Sequence, residues 1–387
     1  MEKINLTVGF VTACDPKDKK SWSGTLYRML MALDQEFSKT VIFGPVKFPK
    51  YLKLILHIIN FFHNFFFGKK YNMVHNNIRS KYYNLILKKK LRNEKVDVIF
   101  APVASTEIAY LQTNIPICYL SDTSFNQIKD YYGSYSNISN LSIQESNLIE
   151  QKAIQNSTSQ IYSSDWAADY AKSFYKAKNV YVVKFGANVD KIPNEFDIIK
   201  FKRSTIKLLF LGVDWIRKGG KIVIETIDLL SQNGYDFHLT ICGCDPIINN
   251  PHITVIPFLD KNKNDDMITF TNLLYESHIL FVPTRADCTP IVFCEANAYG
   301  IPVVTTDTGG VSSIIENGIN GFTLHLNAKA NEYAETIGYL LENRTKLEEM
   351  SKMCLFKYNN ELNWSSWGHK VREILLLTIN NQWQSKL

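Results

Sequence analysis

The 387-residue sequence has little excess charge and no cluster of cysteines, and each shortage excludes a class of protein. Lysine and arginine total 43 against 37 acidic residues, a formal net charge of +6, which is too mild for a protein that wraps a polyanion. Seven cysteines are scattered along the chain, and such a set is typical of free thiols in a reducing compartment rather than a disulfide framework. The chain opens on Met-Glu-Lys and runs straight into an alternating strand, so we expect no secretory signal and a cytoplasmic protein.

Two missing motifs narrow the small-molecule chemistry. No Gly-x-Gly-x-x-Gly follows the first strand of either half, which argues against a dinucleotide-dependent oxidoreductase. Cys242 and Cys244 stand two residues apart, but a second Cys or His pair at zinc-site spacing is missing from the sequence, so we expect no metal site there.

What the sequence does contain is a regular alternation of short apolar runs and longer helical stretches. The first half predicts strands at Ile4–Thr12, Thr40–Phe43, Val96–Ala101, Ile115–Leu120, Ser159–Tyr162 and Asn179–Val183, with a helix near Leu26–Phe37. The second half predicts strands at Lys207–Leu211, His238–Cys242, Ile253–Pro257, Ile279–Pro283 and Pro302–Thr305. Strand–helix alternation of this kind is typical of parallel sheets. With a linker at Asp190–Arg203, it predicts an α/β protein of two Rossmann-like, doubly wound domains facing across a cleft, with ligands at the carboxyl ends of the strands.

One segment, Tyr51–Phe67, breaks this alternation. Its 17 residues include lysine, histidine and asparagine and are too short and too polar to span a bilayer. The polar residues recur at helical intervals and leave a wide apolar face. Between Lys17 and Lys95, 17 basic residues stand against four acidic ones, a balance that would attract anionic lipid. Two interpretations stay open: a helix packed on the sheet, or a helix lying in a membrane interface.

The stretch 281–322 carries the most chemistry. A strand ends near Pro283, a loop runs to Pro290, and a helix is predicted from Ile291 to just before Gly300. The N-terminus of a helix attracts phosphate through its free amides and its dipole. Asp287 in the loop and Glu295 in the helix suit the hydroxyls of a sugar and a ribose, as acceptors of charge-assisted hydrogen bonds. Alternatively, Glu295 is a buried partner of a nearby base.

This stretch resembles the donor-binding signature of family 4 retaining glycosyltransferases of the GT-B type, also called glycosyl transferases group 1. That signature is an acidic residue, seven residues and then Glu, which Asp287 and Glu295 match. Gly300-Ile301-Pro302 and Gly309-Gly310 also stand where the pattern asks. Leu208–Glu225 resembles the first strand, loop and helix of the family's donor domain.

The resemblance implies roles for individual residues. A lysine at the position of Lys218 places its ammonium on the donor diphosphate, where it stabilises the charge that grows on the leaving group. Implied catalytic residues are Asp122, Lys218 and Glu295. Implied donor-binding residues are Gly24, Gly212, Arg217, Lys218, Asp287, Thr289, Pro290, Ile291 and Glu295. Ser23 and Thr25 are placed on the acceptor side.

The sequence departs from the family pattern at four of these positions. Asp287 replaces the usual Glu and is one methylene shorter. Val213 stands where many members have a phosphate-binding Arg, a role that Arg217 would take over. Pro290 replaces a common Gly and removes one amide donor, so the amide of Ile291 would carry more of the phosphate contact. Asp122 stands where His is common, which favours hydroxyl binding over acid–base work.

The resemblance therefore implies a retaining, hexosyltransferase-type enzyme. It would move a sugar from a UDP- or GDP-linked donor to a glycan or lipid-linked acceptor, in the assembly of a cell-surface polysaccharide or glycolipid. Residues 1–185 would form the acceptor-side domain, with a C-terminal helix at about 365–387 packing back on it, and residues 186–364 the donor domain. No Asp-x-Asp occurs, so we expect metal independence, no cofactor and no nucleic-acid partner.

Location and turnover follow as two further expectations. We expect a cytoplasmic protein, which the membrane-interface interpretation of Tyr51–Phe67 would make peripheral on the inner face of the cell membrane. The alternative to an enzyme is a glycosyltransferase-like binding or scaffold subunit with weakened turnover, which the departures at Asp287, Val213 and Pro290 favour.

Overall fold

The computed structural model describes residues 3–193 and 205–384. By their contacts, the described residues form two compact units. The first comprises those within Met1–Ser21, Leu26–Val183 and Gly368–Leu387, and the second those within Trp22–Thr25 and Lys184–Trp367. The predicted linker Asp190–Arg203 lies largely outside the described residues.

The first unit is built on a six-stranded parallel sheet. Its strands are β1 (Ile4–Phe10), β2 (Phe37–Ile42), β3 (Val98–Pro102), β4 (Ile117–Ser121), β5 (Ser159–Tyr162) and β6 (Val180–Val182), in the order β2-β1-β3-β4-β5-β6. The helices along this part of the chain are α1 (Thr25–Glu36), α2 (Lys50–Phe67), α3 (Asn77–Asn93), α4 (Ser105–Ile108), α5 (Phe125–Ile128), α6 (Asn140–Asn156) and α7 (Asp165–Phe174). Every residue of β3 and β4 is buried, as expected for central strands covered on both faces.

The second unit repeats this plan with a sheet of its own. Its strands are β7 (Ile206–Leu211), β8 (Phe237–Cys242), β9 (Ile253–Ile256), β10 (Ile279–Val282), β11 (Val303–Thr306) and β12 (Gly321–Leu324), in the order β12-β11-β10-β7-β8-β9. Its helices are α8 (Gly220–Gln232), α9 (Asn264–Glu276), α10 (Ile291–Ala298), α11 (Ala330–Glu342) and α12 (Arg344–Asn360). All pairings in both sheets are parallel, so the predicted pair of doubly wound α/β sheets is confirmed.

Two strands differ from the sequence prediction for physical reasons. β2 begins at Phe37, directly after α1 and three residues before the predicted Thr40, because Phe37 pairs with Ile4 at the sheet edge although Ser38 and Lys39 are exposed. β12 was not predicted at all. It is a four-residue edge strand that begins on Gly321, where a Cβ atom would lie 2.2 Å from the carbonyl oxygen of Val303. The strand therefore starts with a glycine that allows close backbone contact, and not with the β-branched residues by which a strand is usually recognised in a sequence.

The last helix, α13 (Trp364–Gln384), contacts the first unit along its length from Gly368 onward. Glu36 of α1 is buried; its Oε1 lies 2.6 Å from Nδ1 of His369, and its Oε2 accepts a hydrogen bond from Arg372 at 3.2 Å. Further along, Thr378 bonds Ser159 of β5 at 2.9 Å. These polar contacts join α13 to α1 and to β5.

The structure also bears on the expected free thiols and on the expectation that Tyr51–Phe67 does not span a bilayer. All seven cysteines lie within the described residues and are free thiols, five of them buried. Among the helices in the described part of the chain, none is both long and apolar enough to cross a bilayer.

Candidate functional site

The first part of the candidate site is the loop between β7 and α8. Gly219 has a φ of +83°, and a Cβ atom there would lie 2.1 Å from the carbonyl oxygen of Pro283 at the end of β10. Only glycine allows so close an approach in a left-handed conformation. A Cβ atom at Gly212 would lie 2.9 Å from Cγ of Lys218. Gly219 therefore lets the loop lie directly against the end of β10, and Gly212 leaves room for the aliphatic part of the Lys218 side chain.

This packing brings Lys218 onto Asp287, the first acidic residue of the predicted signature. The ammonium of Lys218 donates a short hydrogen bond to Oδ2 of Asp287, and both side chains are buried. Arg217 lies 3.8 Å from the same oxygen and donates to the carbonyl of Ala286 at 2.7 Å. Buried charges of this kind persist only when they are paired. Arg217 also lies 3.4 Å from Oδ2 of Asp214, whose side chain is 51% exposed, so the cluster holds two cations and two carboxylates.

The start of α10 lies in the same loop system. Pro290 occupies the N-cap position with a φ of −76° and offers no polar side-chain atom to cap the helix, so Ile291 follows with the amide that begins the first turn. Thr289 donates its hydroxyl to the carbonyl of Cys288 at 2.8 Å. The amide of Gly310 donates to the carbonyl of Asp287 at 3.1 Å. The second-half predictions at Arg217, Lys218, Asp287 and Thr289–Ile291 thus fall in one loop system.

Glu295 is fully buried one turn into α10 and has a basic partner. Its Oε1 lies 2.5 Å from Nζ of Lys261, whose ammonium also lies 4.3 Å from the centre of the Phe270 ring. Sequence reasoning allowed for a nearby base but did not name Lys261. A buried carboxylate is seldom found without a partner, yet the sequence gives no spacing that selects this lysine, because the loop between β9 and α9 meets α10 only through the fold. The pair orients the Glu295 carboxylate. The buried pairing with a base is confirmed, and the binding of sugar or ribose hydroxyls stays a prediction.

The site residues predicted in the N-terminal half of the chain are divided between the two units. Ser23, Gly24 and Thr25 form a turn that belongs by contact to the second unit. Asp122 belongs to the first unit, where it directly follows β4 and is partly buried.

The first unit also holds two buried carboxyl groups that the sequence analysis missed. Burial raises the pKa of Glu107, just after β3, to about 7, and the pKa of Glu150, which accepts from the Tyr119 hydroxyl at 3.0 Å, to about 7 as well. Among the described residues, no group of three or more His, Cys, Asp or Glu side chains is placed to hold a metal ion.

Comparison with known proteins finds a family similarity within the second unit. Residues 191–353 match the family model described as glycosyl transferases group 1. Over these residues the chain is similar to group 1 glycosyltransferases, and we call residues 191–353 the group 1 domain. The Lys218–Asp287 cluster, α10 and Glu295 all lie inside this matched region.

Two curated relatives of the group 1 domain cover part of the chain. Spore coat protein SA of Bacillus subtilis is 26% identical over 180 residues, which are 46% of this chain and 41% of that protein. The UDP-Gal:alpha-D-GlcNAc-diphosphoundecaprenol alpha-1,3-galactosyltransferase of Escherichia coli is 20% identical over 205 residues, 51% of this chain and 52% of that protein. The matches thus span about half the length of these relatives.

The fold extends beyond the group 1 domain. Sucrose-phosphate synthase from Thermosynechococcus elongatus superimposes with a TM-score of 0.68 over 97% of this chain and 100% of its own, at 15% sequence identity. At this identity the likeness establishes the fold alone, and that fold is GT-B, as the sequence predicted.

Proposed function

We propose that this protein is a retaining glycosyltransferase, which moves a hexose from a UDP- or GDP-linked donor to a glycan or lipid-linked acceptor. The observation that carries the proposal is the buried cluster of Lys218, Arg217 and Asp287 beside the start of α10, inside a group 1 domain. The Escherichia coli relative is named for a UDP-sugar donor and a diphosphoundecaprenol acceptor, which supports a nucleotide sugar and a lipid-linked glycan as the two substrates.

In the proposed reaction, Lys218 and Arg217 bind the donor diphosphate together with the amide of Ile291. The bond between the anomeric carbon and the phosphate oxygen breaks, and the acceptor oxygen bonds the same carbon on the same face. The acceptor proton passes to the leaving phosphate oxygen, so no separate protein base is needed. Cations beside that oxygen stabilise the charge that grows on it. Asp287 orients the sugar, Glu295 binds donor hydroxyls, and Asp122 binds a hydroxyl at the reacting centre.

No metal ion takes part in this scheme. Lys218, Arg217 and the positive end of α10 supply the charge that Mg²⁺ or Mn²⁺ would otherwise place on the diphosphate. Activity is therefore expected to survive saturating EDTA.

The test is donor hydrolysis by purified protein in a panel of UDP- and GDP-sugars. Lys218→Ala is expected to lower turnover by about 100-fold, typical of a lost contact to transition-state charge. Lys221→Ala is the matched control, because this lysine lies three residues further on and its side chain is 89% exposed. Wild-type protein that turns over none of the donors, with or without acceptor glycans, would favour the alternative of a binding or scaffold subunit, in which Asp287 already neutralises Lys218.

The second part of the proposal concerns location: α2 holds the protein peripherally on an anionic membrane, at the cytoplasmic face. Two polar residues of α2, Asn60 and His63, face the protein, whereas most of the helix's large apolar side chains are exposed. Asn60 accepts from the amide of Tyr71 at 2.8 Å, and Nδ1 of His63 lies 2.6 Å from the Ser139 hydroxyl. Phe65 and Phe66 are 71% and 67% exposed. Aromatic side chains turned outward in this way fit the headgroup boundary of a bilayer.

Charge around α2 favours a lipid surface over a second protein. The helix contains no acidic residue, and exposed lysines flank it at both ends: Lys50, Lys53, Lys69 and Lys70. Each lysine near an anionic surface adds about 1 kcal/mol of attraction. Partner-protein interfaces are instead depleted of lysine.

Vesicle flotation tests this location. We expect the protein to float with vesicles of phosphatidylcholine and phosphatidylglycerol, and less with phosphatidylcholine alone. Phe65→Ser/Phe66→Ser should remove flotation, whereas Phe258→Ser/Phe356→Ser, two exposed phenylalanines of the second unit, should retain it. Equal flotation of the two double variants, or none by the wild type, would refute the membrane contact.

A further inference from the structure

The turn that carries Ser23, Gly24 and Thr25 has an unusual backbone. Trp22 (φ 48°), Ser23 (φ 57°) and Gly24 (φ 85°) follow one another in the left-handed region. Glycine adopts this conformation freely, but a bulky residue such as tryptophan does so rarely. Two consecutive non-glycine residues in this region persist only where the surroundings hold them there. The turn therefore needs an external support.

Asn188 provides that support with its whole side-chain amide. Its Nδ2 donates to the carbonyl oxygen of Ser23 at 2.8 Å and to the hydroxyl oxygen of Thr25 at 3.1 Å. Its Oδ1 accepts from the indole nitrogen of Trp364 at 3.0 Å. Asn188 is 4% exposed. Both donor hydrogens and the acceptor oxygen are thus used inside the protein, and only an amide offers this combination at this length.

The aromatic rings around the amide reinforce the same turn. The Trp22 ring packs edge-on against Phe185 at 5.3 Å between centroids, and Phe185 lies 6.2 Å from Trp364 in a stacked arrangement. Gly186 is required beside them, because a Cβ atom there would lie 2.6 Å from the backbone nitrogen of Trp364. Three distant segments of the chain therefore meet at the turn.

This cluster contacts the helix that carries the donor signature. The thiol of Cys294 in α10 donates to the carbonyl oxygen of Phe185 at 3.5 Å. Cys294 precedes Glu295, so the ring that packs on Trp22 belongs to a residue bonded to α10. The turn and the donor-binding helix are separated by a single residue, Phe185, within the second unit.

We propose that Asn188 is a positioning residue, which holds the left-handed residues Trp22–Gly24 in the form in which Gly24 meets the nucleotide part of the donor. This inference rests on the proposed function, since it presumes a nucleotide ligand. The resemblance places Gly24 at the donor; the structure adds the side chain that sets its conformation. Asn188 acts through the turn and does not touch the ligand itself.

The test labels the six tryptophans with 5-fluorotryptophan and follows them by ¹⁹F NMR during titration with UDP and, separately, GDP. The Trp22 resonance is assigned by its loss in Trp22→Phe. Asn188→Asp places a carboxylate oxygen against the Ser23 carbonyl, and Asn188→Ala removes all three hydrogen bonds. Asn360→Asp, an exposed amide at the end of α12, is the matched control.

We expect both Asn188 variants to shift or broaden the Trp22 signal, to leave Trp166 and Trp215 in place, and to weaken nucleotide binding at least tenfold. The control should match the wild type. The inference is overturned if the Trp22 signal is unchanged, or if it moves while nucleotide affinity stays within twofold. Wild-type protein that binds neither UDP nor GDP would instead refute the proposed function, and the inference with it. The retained Trp166 and Trp215 signals distinguish a lost turn from a lost fold.

Discussion

Glu295 and Lys261 form a buried pair at 2.5 Å, so substitutions at the two residues separate two roles for the carboxylate. Glu295→Gln keeps the shape but removes the charge, and we expect donor turnover to fall by about 100-fold if the carboxylate contacts the donor. Lys261→Met leaves the buried carboxylate without its cation and should lower the unfolding temperature more than Glu295→Gln does, because an unpaired buried charge is costly.

The measurements are turnover per folded molecule and thermal unfolding of both variants. A purely structural pair would give the opposite pattern, with both variants less stable and turnover nearly unchanged. Non-additive effects in the double variant are expected, because the two residues are in direct contact.

The buried carboxyl of Glu107 predicts a pH dependence of stability. Burial raises its pKa from 4.5 to about 7, so the folded state binds an additional proton between these values. Its stabilisation is present at low pH and is lost as pH rises through 7. Glu150 acts in the same sense. Burial lowers the pKa of His75 from 6.5 to about 4, so this residue makes the protein more stable as pH rises between these two values. Above pH 6.5 the remaining change in stability comes mainly from the two carboxyl groups.

Chemical denaturation at pH 6.5 and pH 8.0 checks this prediction. The wild type should lose about 1 kcal/mol of unfolding free energy per buried carboxyl over this range, and Glu107→Gln should lose correspondingly less. Glu94→Gln, an exposed carboxyl of the same unit, should behave as the wild type. A Glu107→Gln variant with the full wild-type slope would contradict the raised pKa.

Among the elements, α13 gives the most specific prediction of stability, because this helix at the end of the chain packs on the first unit. Leu375 is fully buried, whereas Leu377, two residues on, is 45% exposed. Leu375→Ala should cost about 2–5 kcal/mol of unfolding free energy through the cavity it leaves. Leu377→Ala should change it by less than about 0.5 kcal/mol. Equal effects in denaturant unfolding would show that α13 does not pack as described.

The elements were predicted best where the sequence pattern is local. β3, β4 and β10 are runs of apolar residues buried on both faces, and such runs are visible without a structure. β12 was missed because it is short, lies at an edge, and is defined by Gly321 against β11. The inward orientation of Asn60 and His63 in α2 was not predictable either, because their bonds go to residues 71 and 139.

At the scale of the whole molecule, the sequence indicated the two sheets and the second-half motif, since motif residues lie close together in the chain. Lys218 and Asp287 were each selected by the motif, and the fold pairs them. The roles of Lys261 and Asn188 could not be predicted from the sequence, because each contacts residues more than 30 positions away. Side-chain partners of this kind depend on how the segments pack, and spacing in one sequence does not encode that packing.

The central claim is that a metal-free cluster around Lys218 binds a nucleotide. Calorimetric titration of the full-length protein with UDP and with GDP, both in excess EDTA, tests it most directly. The account predicts that one of the two nucleotides binds with 1:1 stoichiometry, and that Lys218→Ala weakens this binding at least tenfold while Lys221→Ala does not. Binding of neither nucleotide to the wild type, or binding that requires added Mg²⁺ or Mn²⁺, would contradict it.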